Sequence, residues 1–464
     1  MASITLLPEM TALREKLPSI VAGVESHAPY GAALLSARQG MRITVDNNEE
    51  RIAEMPPAAG TVITAFDGAT MREAAIGGFS LREVEKGARS LVEGVDFARH
   101  WDAQAGPVQR GDFVSAMEIP PDSLSTREKL DRVRQLHNRL RSIDQRIANV
   151  QVDYRERSEL SVFCNRNSDL AQRVQRVTLF VLAFSAGDQG IRYDWAVKSG
   201  VGGWEKLEFT DEELQALVKS SIALQSAVRI EPGEYTIVTA PGVSGVIVHE
   251  SFGHGVETDM FLKERARAAS YIDQPVGSPL VNIIDDPSYP GVSGSYFFDD
   301  EGQLAGPTHI VEGGIFRRGI TDFYSAAALG LKRSANGRRQ DYSRKAYARM
   351  SNTFFVPGTT PVNEIFAQVD RGVYLEKWSS GMEDPQGWGI QVTCHYGREI
   401  VNGKATDKLY SPVGITGYVP DVLQSVTAVG NDLAMDGGGC GKGHKEYVSV
   451  SSGGPHLLMK ARLG

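Results

Sequence analysis

Cysteine is nearly absent from this chain: Cys164, Cys394 and Cys440 are the only three in 464 residues. An odd handful of thiols in so long a chain excludes a disulfide framework and predicts a reducing, cytoplasmic setting. Long apolar runs are missing too. The most hydrophobic stretch, Val177 to Ala186, falls far short of the ~20 residues a membrane helix needs, so it predicts a buried strand and no membrane partner. Positive charge is not in excess, with 49 Lys and Arg against 57 Asp and Glu and a net charge of −8. A nucleic-acid-binding surface shows a basic footprint, so no nucleic-acid partner is expected. The opening residues MASITLLPEMTALREKL place Glu9, Arg14, Glu15 and Lys16 before any apolar core develops, which is not the pattern of a signal peptide.

Hydrophobic residues at 41% and charged residues at 23% describe an ordinary globular chain, long enough for two or three domains. Ala32 to Arg38 and Met41 to Val45 read as strands around a Gln39-Gly40 turn, and Thr61 to Phe66 as another. Three capping-box patterns, Ser80/Glu83, Ser125/Glu128 and Thr210/Glu213, each open a helix. In the second helix Leu130, Val133, Leu136, Leu140, Ile143 and Ile147 recur every three or four residues, so one stripe faces a core. From Asn149 the period changes to two and predicts an antiparallel meander up to about Gly200. The Glu231-Pro-Gly233 break is the expected boundary between an α+β domain, 1–230, and a β-rich domain, 231–464.

Just past that boundary, a strand and a Pro-Gly turn lead into His249-Glu250-Ser-Phe-Gly-His254. The familiar zinc-peptidase pattern is H-E-x-x-H, with histidines four apart on one helix face. Five apart is about 500° of rotation, so the imidazoles would diverge by roughly 140° on a regular helix. A π-bulge, made easier by Gly253, would bring them back together. Neutral imidazoles bind zinc, and a carboxylate beside them, outside the ligand set, can take the proton of an attacking water; Glu250 is placed for that role. A catalytic zinc takes a third protein ligand. Glu257, Asp259, Cys394-His395 and His444 are candidates by chemistry. Cys440, among glycines in Asp436-Gly-Gly-Gly-Cys440-Gly-Lys-Gly-His444, is the strongest, with Lys442 and His444 near enough in sequence to favour its thiolate.

Several segments together resemble the TldD/PmbA family of zinc peptidases, in particular its TldD-type catalytic branch. They are VIVHESFGHGVETD, Phe297 to Gly302 (FFDDEG), Asn336 to Gly358 (NGRRQDYSRKAYARMSNTFFVPG) and Val429 to Lys445 (VGNDLAMDGGGCGKGHK). The resemblance implies one zinc per active subunit, held by His249, His254 and the cysteine of the late CGK loop, Cys440, with Glu250 catalytic. It implies unfolded or short peptides as substrates, and a homodimer or a heterodimer with a PmbA-type subunit enclosing the site. The segment before Cys440 is compressed to GGG, and His444 replaces another polar residue.

Asp300, Glu301 and Gly302 are expected as a polar turn at the substrate cleft. Lys332 to Arg349 is a basic stretch read as a solvated loop or one that steers peptide carboxylates, and Arg349 and Asn352 are expected, with Asp300, Glu301 and Gly302, to bind substrate. The fold expected is α+β, an amino-terminal antiparallel sheet with helices and a β-rich, barrel-like carboxy-terminal domain carrying the HExxxH helix. The function expected is a zinc metallopeptidase. A non-catalytic regulatory subunit of a TldD/PmbA-type complex and a zinc hydrolase of a non-peptide amide are the rivals.

Overall fold

A period of two runs through the amino-terminal half and produces its sheet. The computed structural model describes residues 4–98, 107–442 and 445–464, with the backbone alone for Lys445 and Glu446. Tyr30–Val45 pairs antiparallel with both Glu50–Phe66 and Ile147–Asn165. Ser168–Gly187 and Gly190–Val201 continue the antiparallel order, Met71–Gly77 closes the other side, and Gln109–Val114 adds in parallel. Successive side chains point to opposite faces. Ala33 and Leu35 face Ile63 and Val162 beneath helices Pro8–Arg14, Leu17–Glu25 and Leu81–Val92. Ala32 and Leu34 face the other way, where Phe298 of the carboxy-terminal half packs against Phe66 and Phe163. Helices Thr126–Arg141 and Asp211–Ala223 cover the far end of the sheet through Val133, Leu136, Leu140, Leu214 and Leu217.

Local expectations fail in three places. Gln39-Gly40 is no turn: Tyr30–Val45 passes through it as one strand of 16 residues with a register shift between Arg38 and Gly40. A bulge suffices because the same residues stay paired without a break to Ile147–Asn165. Leu81–Val92 is a helix, but Ser80 makes no capping bond; its ψ of 115° differs from the 155° and 162° at Ser125 and Thr210, which both complete their boxes. Ile143 and Ile147, assigned to the helical stripe, lie past the helix end at Arg141: Ile143 is exposed, and Ile147 opens the strand Ile147–Asn165.

The carboxy-terminal half contains a closed barrel of five strands. Arg371–Asp384 pairs with Gly233–Thr239, which pairs with Leu457–Leu463, then Val413–Tyr418, then Gly389–Val401, which returns to Arg371–Asp384. A second sheet runs Ile315–Phe316, Thr308–Glu312, Ile283–Asp285, Asn352–Phe355, Lys445–Gly454, Ala434–Lys442. Helix Pro241–Phe252 leaves the first barrel strand directly, with Pro241 at its first position, where a missing N–H costs nothing. Val243, Val246, Ile247, Val248 and Phe252 are all buried, so the helix lies inside the protein and holds its last turn in a fixed place.

Candidate metal centre

His249 stands in the last turn of that buried helix. The helix then stops at Phe252, and no π-bulge forms. Gly253 (φ −93°, ψ −80°) breaks it, and His254 opens a single 3-10 turn, His254–Val256. A Cβ on Gly253 would lie 2.3 Å from the His249 carbonyl oxygen and 2.5 Å from Met350 Sδ, closer than any side chain tolerates. Ending the helix at Phe252, two residues before His254, removes the rotation that a continuous helix would impose. The two rings come to 5.2 Å between centroids at 86°.

Cys440 arrives from a strand, not from a loop. Ala434–Lys442 pairs antiparallel with Lys445–Gly454, Cys440 opposite Val448, and forms the edge of the second sheet. Its Sγ is 2.9 Å from His254 Nε2, and the donor atoms of His249, His254 and Cys440 all lie within 4.8 Å of one another. Arg349, fully buried, donates from Nη2 to the Cys440 Sγ at 3.0 Å and to its carbonyl at 3.1 Å. Burial pushes the Cys440 thiol up, but hydrogen bonds and charge from His249 and His254 bring it down to about 5. Cys164 and Cys394 have no such neighbours, and burial pushes both up to about 12.

Glu257 lies behind His254 and is completely buried. It accepts from Arg349 Nε at 3.1 Å, pairs with Lys442 Nζ at 2.6 Å, and faces His254 Nδ1 at 3.4 Å. Burial raises its carboxyl, yet Lys442, His254 and Arg349 together hold it well below the ordinary range. The contact of Nδ1 with Glu257 turns Nε2 towards Cys440, and a carboxylate behind a ligand imidazole fixes the ring in this way. Burial works against a proton on His254, but Glu257 and Cys440 raise its pKa well above the usual value.

Glu250 occupies the buried side of the same turn. Burial raises its carboxyl, and it shares a hydrogen bond with Glu383 of strand Arg371–Asp384, whose own carboxyl burial pushes up to about 7. Glu250, Glu383 and His254 place ligand atoms within 4.8 Å of one another. Two carboxyls this close titrate as a unit and retain one proton between them into the neutral range. Gly381 makes the approach possible, since a Cβ there would sit 2.5 Å from Glu250 Oε1 and 2.6 Å from Cγ. Sequence reasoning missed Glu383, which carries no local signal in its strand.

The other candidates go elsewhere. Asp259 pairs with Lys442 at 2.5 Å and Lys263 at 3.2 Å. Lys442 therefore meets Glu257 and Asp259, and Arg349 takes the place beside the thiol. Cys394 is a core residue of the barrel, and His395 Nε2 meets the Tyr193 carbonyl at 2.7 Å. His444 lies outside the described residues. The stretch from Lys332 is not a solvated loop: Arg338, Arg339 and Arg349 are buried, because each finds carbonyl or carboxylate partners inside the fold. Asp300 accepts from the Arg339 N–H and Glu301 from the Phe323 N–H, and Gly302 (φ 77°) packs on Phe163, so this turn joins the two halves. Asn352 is buried and donates to the Asp286 carbonyl and Ser295.

Comparison with known proteins shows the family. The PmbA/TldA metallopeptidase C-terminal domain matches residues 232–462 and the PmbA/TldA metallopeptidase central domain residues 119–229. A metalloprotease of Methanothermobacter thermautotrophicus is 31% identical over 344 residues, 74% of each chain. The chain belongs to the TldD/PmbA family of metallopeptidases. A zinc metalloprotease TldD homolog of Saccharolobus solfataricus is 32% identical over 229 residues, 49% of this chain and 51% of that one. Among solved structures, TldE from Thermococcus kodakarensis shares the fold at a TM-score of 0.72 and 15% identity, covering 96% of this chain and 99% of that one. No described helix is long and apolar enough to cross a membrane.

Proposed function

We propose that this TldD/PmbA chain is a zinc-dependent peptidase, with His249, His254 and Cys440 as ligands and Glu250 as general base. The observation that carries this is the convergence of two imidazoles and one thiol within 4.8 Å, from segments far apart in sequence. Zinc at ~2.0–2.1 Å from nitrogen and ~2.3 Å from sulfur needs donors roughly 3.3–3.7 Å apart in a tetrahedron. The donor set fits that demand after a small opening of the 2.9 Å contact between Cys440 and His254. When bound, zinc supplies a Lewis acid for the scissile carbonyl and acidifies water. Glu250 takes the proton of the attacking water and delivers it to the leaving amine, and Glu383 holds the shared proton that keeps the pair from carrying two charges. Arg349 fixes the Cys440 sulfur, and Glu257 fixes the His254 ring.

Substrates in this reading are unfolded or short peptides. The strand that bears Cys440 is a sheet edge with Gly438 and Gly439 exposed beside it, where an extended peptide can add its main chain without side-chain selectivity. Two domains, 1–230 and 231–464, a cytoplasmic location, and assembly as a homodimer or with a PmbA-type subunit complete the proposal. The test is paired. Glu250→Gln retains zinc and loses cleavage of an unstructured peptide, whereas Cys440→Ala loses zinc. A Glu250→Gln protein that cleaves at the wild-type rate removes the general-base assignment.

A further inference from the structure

Four arginines converge on one glutamate on the far side of the hairpin Ala434–Gly454. Arg38, Arg157 and Arg176 reach in from the amino-terminal sheet and Arg338 from the carboxy-terminal half, around Glu159, lining a cavity of about 80 Å³. Ser449, also on its wall, follows Val448, the residue opposite Cys440, so its side chain leaves the hairpin on the face away from the thiol. The cavity is therefore distinct from the metal centre and lies between the two halves.

Hydrogen bonding is incomplete there. Arg157 Nε is 2.8 Å and Arg176 Nε 3.3 Å from the Glu159 oxygens, but neither Nε atom makes a hydrogen bond. Arg176 is 7% exposed and otherwise donates to the Ser295 carbonyl. Arg338, equally buried, donates to the carbonyls of Met350 and Ser449 and lies 5.0 Å over the Tyr296 ring. Arg38 donates to the Gln340 carbonyl and reaches Asp341 at 3.9 Å.

The other acids on the wall are engaged. Asp299 accepts from the N–H groups of Glu301, Gln303 and Gly337, and Asp300 from that of Arg339. Arg339 itself pairs with Glu73. Burial, with Arg157 and Arg338 adding to it, lowers Arg176 to about 10 against the pull of Glu159; Glu159, despite its burial, is held at about 2 by the surrounding arginines.

A buried N–H group without a hydrogen-bond partner is costly. The cavity holds several times the ~15 Å³ that one water requires, and guanidinium forks are shaped for carboxylate and phosphate oxygens. We propose that this cavity binds a small oxyanion, a carboxylate or a phosphate, through Arg38, Arg157, Arg176 and Arg338. The inference stands apart from peptide hydrolysis, because it concerns a different face of the hairpin and is read by binding alone.

The experiment is calorimetric titration of the full-length protein with inorganic phosphate, with acetate, and with chloride at matched ionic strength. A saturable isotherm with phosphate or acetate and none with chloride is expected, weakened at least tenfold in Arg38→Gln and in Arg176→Gln. Arg38 is 23% exposed at the cavity mouth, so its substitution leaves the buried core intact should Arg176→Gln fail to fold. A peptide with a free carboxyl terminus and its amide then separate the sources. Tighter binding of the free acid, lost in Arg38→Gln, assigns the site to a peptide terminus. Phosphate binding with no difference between the two peptides assigns it to a free ion. Absence of saturable binding by phosphate, acetate and the free-acid peptide, or affinities unchanged in Arg38→Gln, overturns the proposal.

Discussion

Replacing Glu257 by Gln removes one charge from the best-connected position behind the metal centre and changes almost nothing in volume. In the wild type, Glu257 has no solvent exposure and meets Arg349 at 3.1 Å, Lys442 at 2.6 Å and His254 at 3.4 Å. Removing one partner of a buried ion pair costs about 3–5 kcal/mol, since the opposite charge is left without its match. Lys442 keeps Asp259 at 2.5 Å, which places the expected loss at the lower end, about 3 kcal/mol. The same substitution removes the carboxylate that orients His254, and loss of such a partner weakens metal affinity roughly 10–100-fold.

The pH dependence follows from the depressed carboxyl. A group whose folded pKa lies below its ordinary value of 4.5 contributes stability above that value and loses it only as pH falls through the folded one. The difference between wild type and Glu257→Gln should thus hold across pH 5–8 and shrink only in stronger acid. Urea unfolding of metal-free protein measures the first effect, and competition with a zinc chelator the second. An unchanged urea midpoint together with zinc affinity within twofold of wild type would refute the reasoning.

Three further outcomes are expected. In metal-free protein, a small alkylating reagent should modify Cys440 with a rate that rises with pH through about 5 as thiolate forms, while Cys164 and Cys394, pushed up to about 12, stay inert; mass spectrometry reads each site, and a midpoint near 9 for Cys440 contradicts the imidazole contacts. Gly381→Ala should retain zinc and lose most cleavage, because the added Cβ would meet Glu250 Cγ at 2.6 Å and displace the base; wild-type turnover would show that Glu250 need not sit against this strand. Light scattering should report a dimer, and a fully active monomer would remove the enclosed-site reading.

Local signals in the sequence were legible where the physics is local. Period-two alternation across residues 149–200 became the antiparallel strands, and the Ser125 and Thr210 boxes closed as read. The short helices Pro8–Arg14 and Leu17–Glu25 went unread, although Leu17, Ile20, Val21 and Val24 carry the spacing of a buried face. The α+β first half was legible from strand periods and capping boxes, and the β-rich second half from the density of glycine and turn signals. Strand closure itself is a matter of which strands pair, and pairing between residues 371–384 and 233–239 leaves no trace in either segment alone. Arg349 shows the same limit. Its position in a basic stretch suggested a solvent-facing guanidinium, whereas Glu257 and Cys440, each about 91 residues away, draw it into the interior.

The five-residue histidine spacing shows how a local pattern and a distant contact decide each other. A continuous helix would splay the two rings by roughly 140°, and a π-bulge was one way to correct this. The chain instead ends the helix at Phe252; Met350 packs against Gly253, and the neighbouring Arg349 holds Cys440 from a strand 186 residues beyond His254. Gly253 is thus required for two close approaches, by the carbonyl oxygen of His249 and by Met350, and not for a positive φ. A substitution there would move His254 away from Cys440 while leaving His249 anchored in the buried helix. The donor set therefore depends on the packing of residues 349–350 against 253, a contact that the H-E-x-x-x-H spacing implies only once the ring directions are worked out.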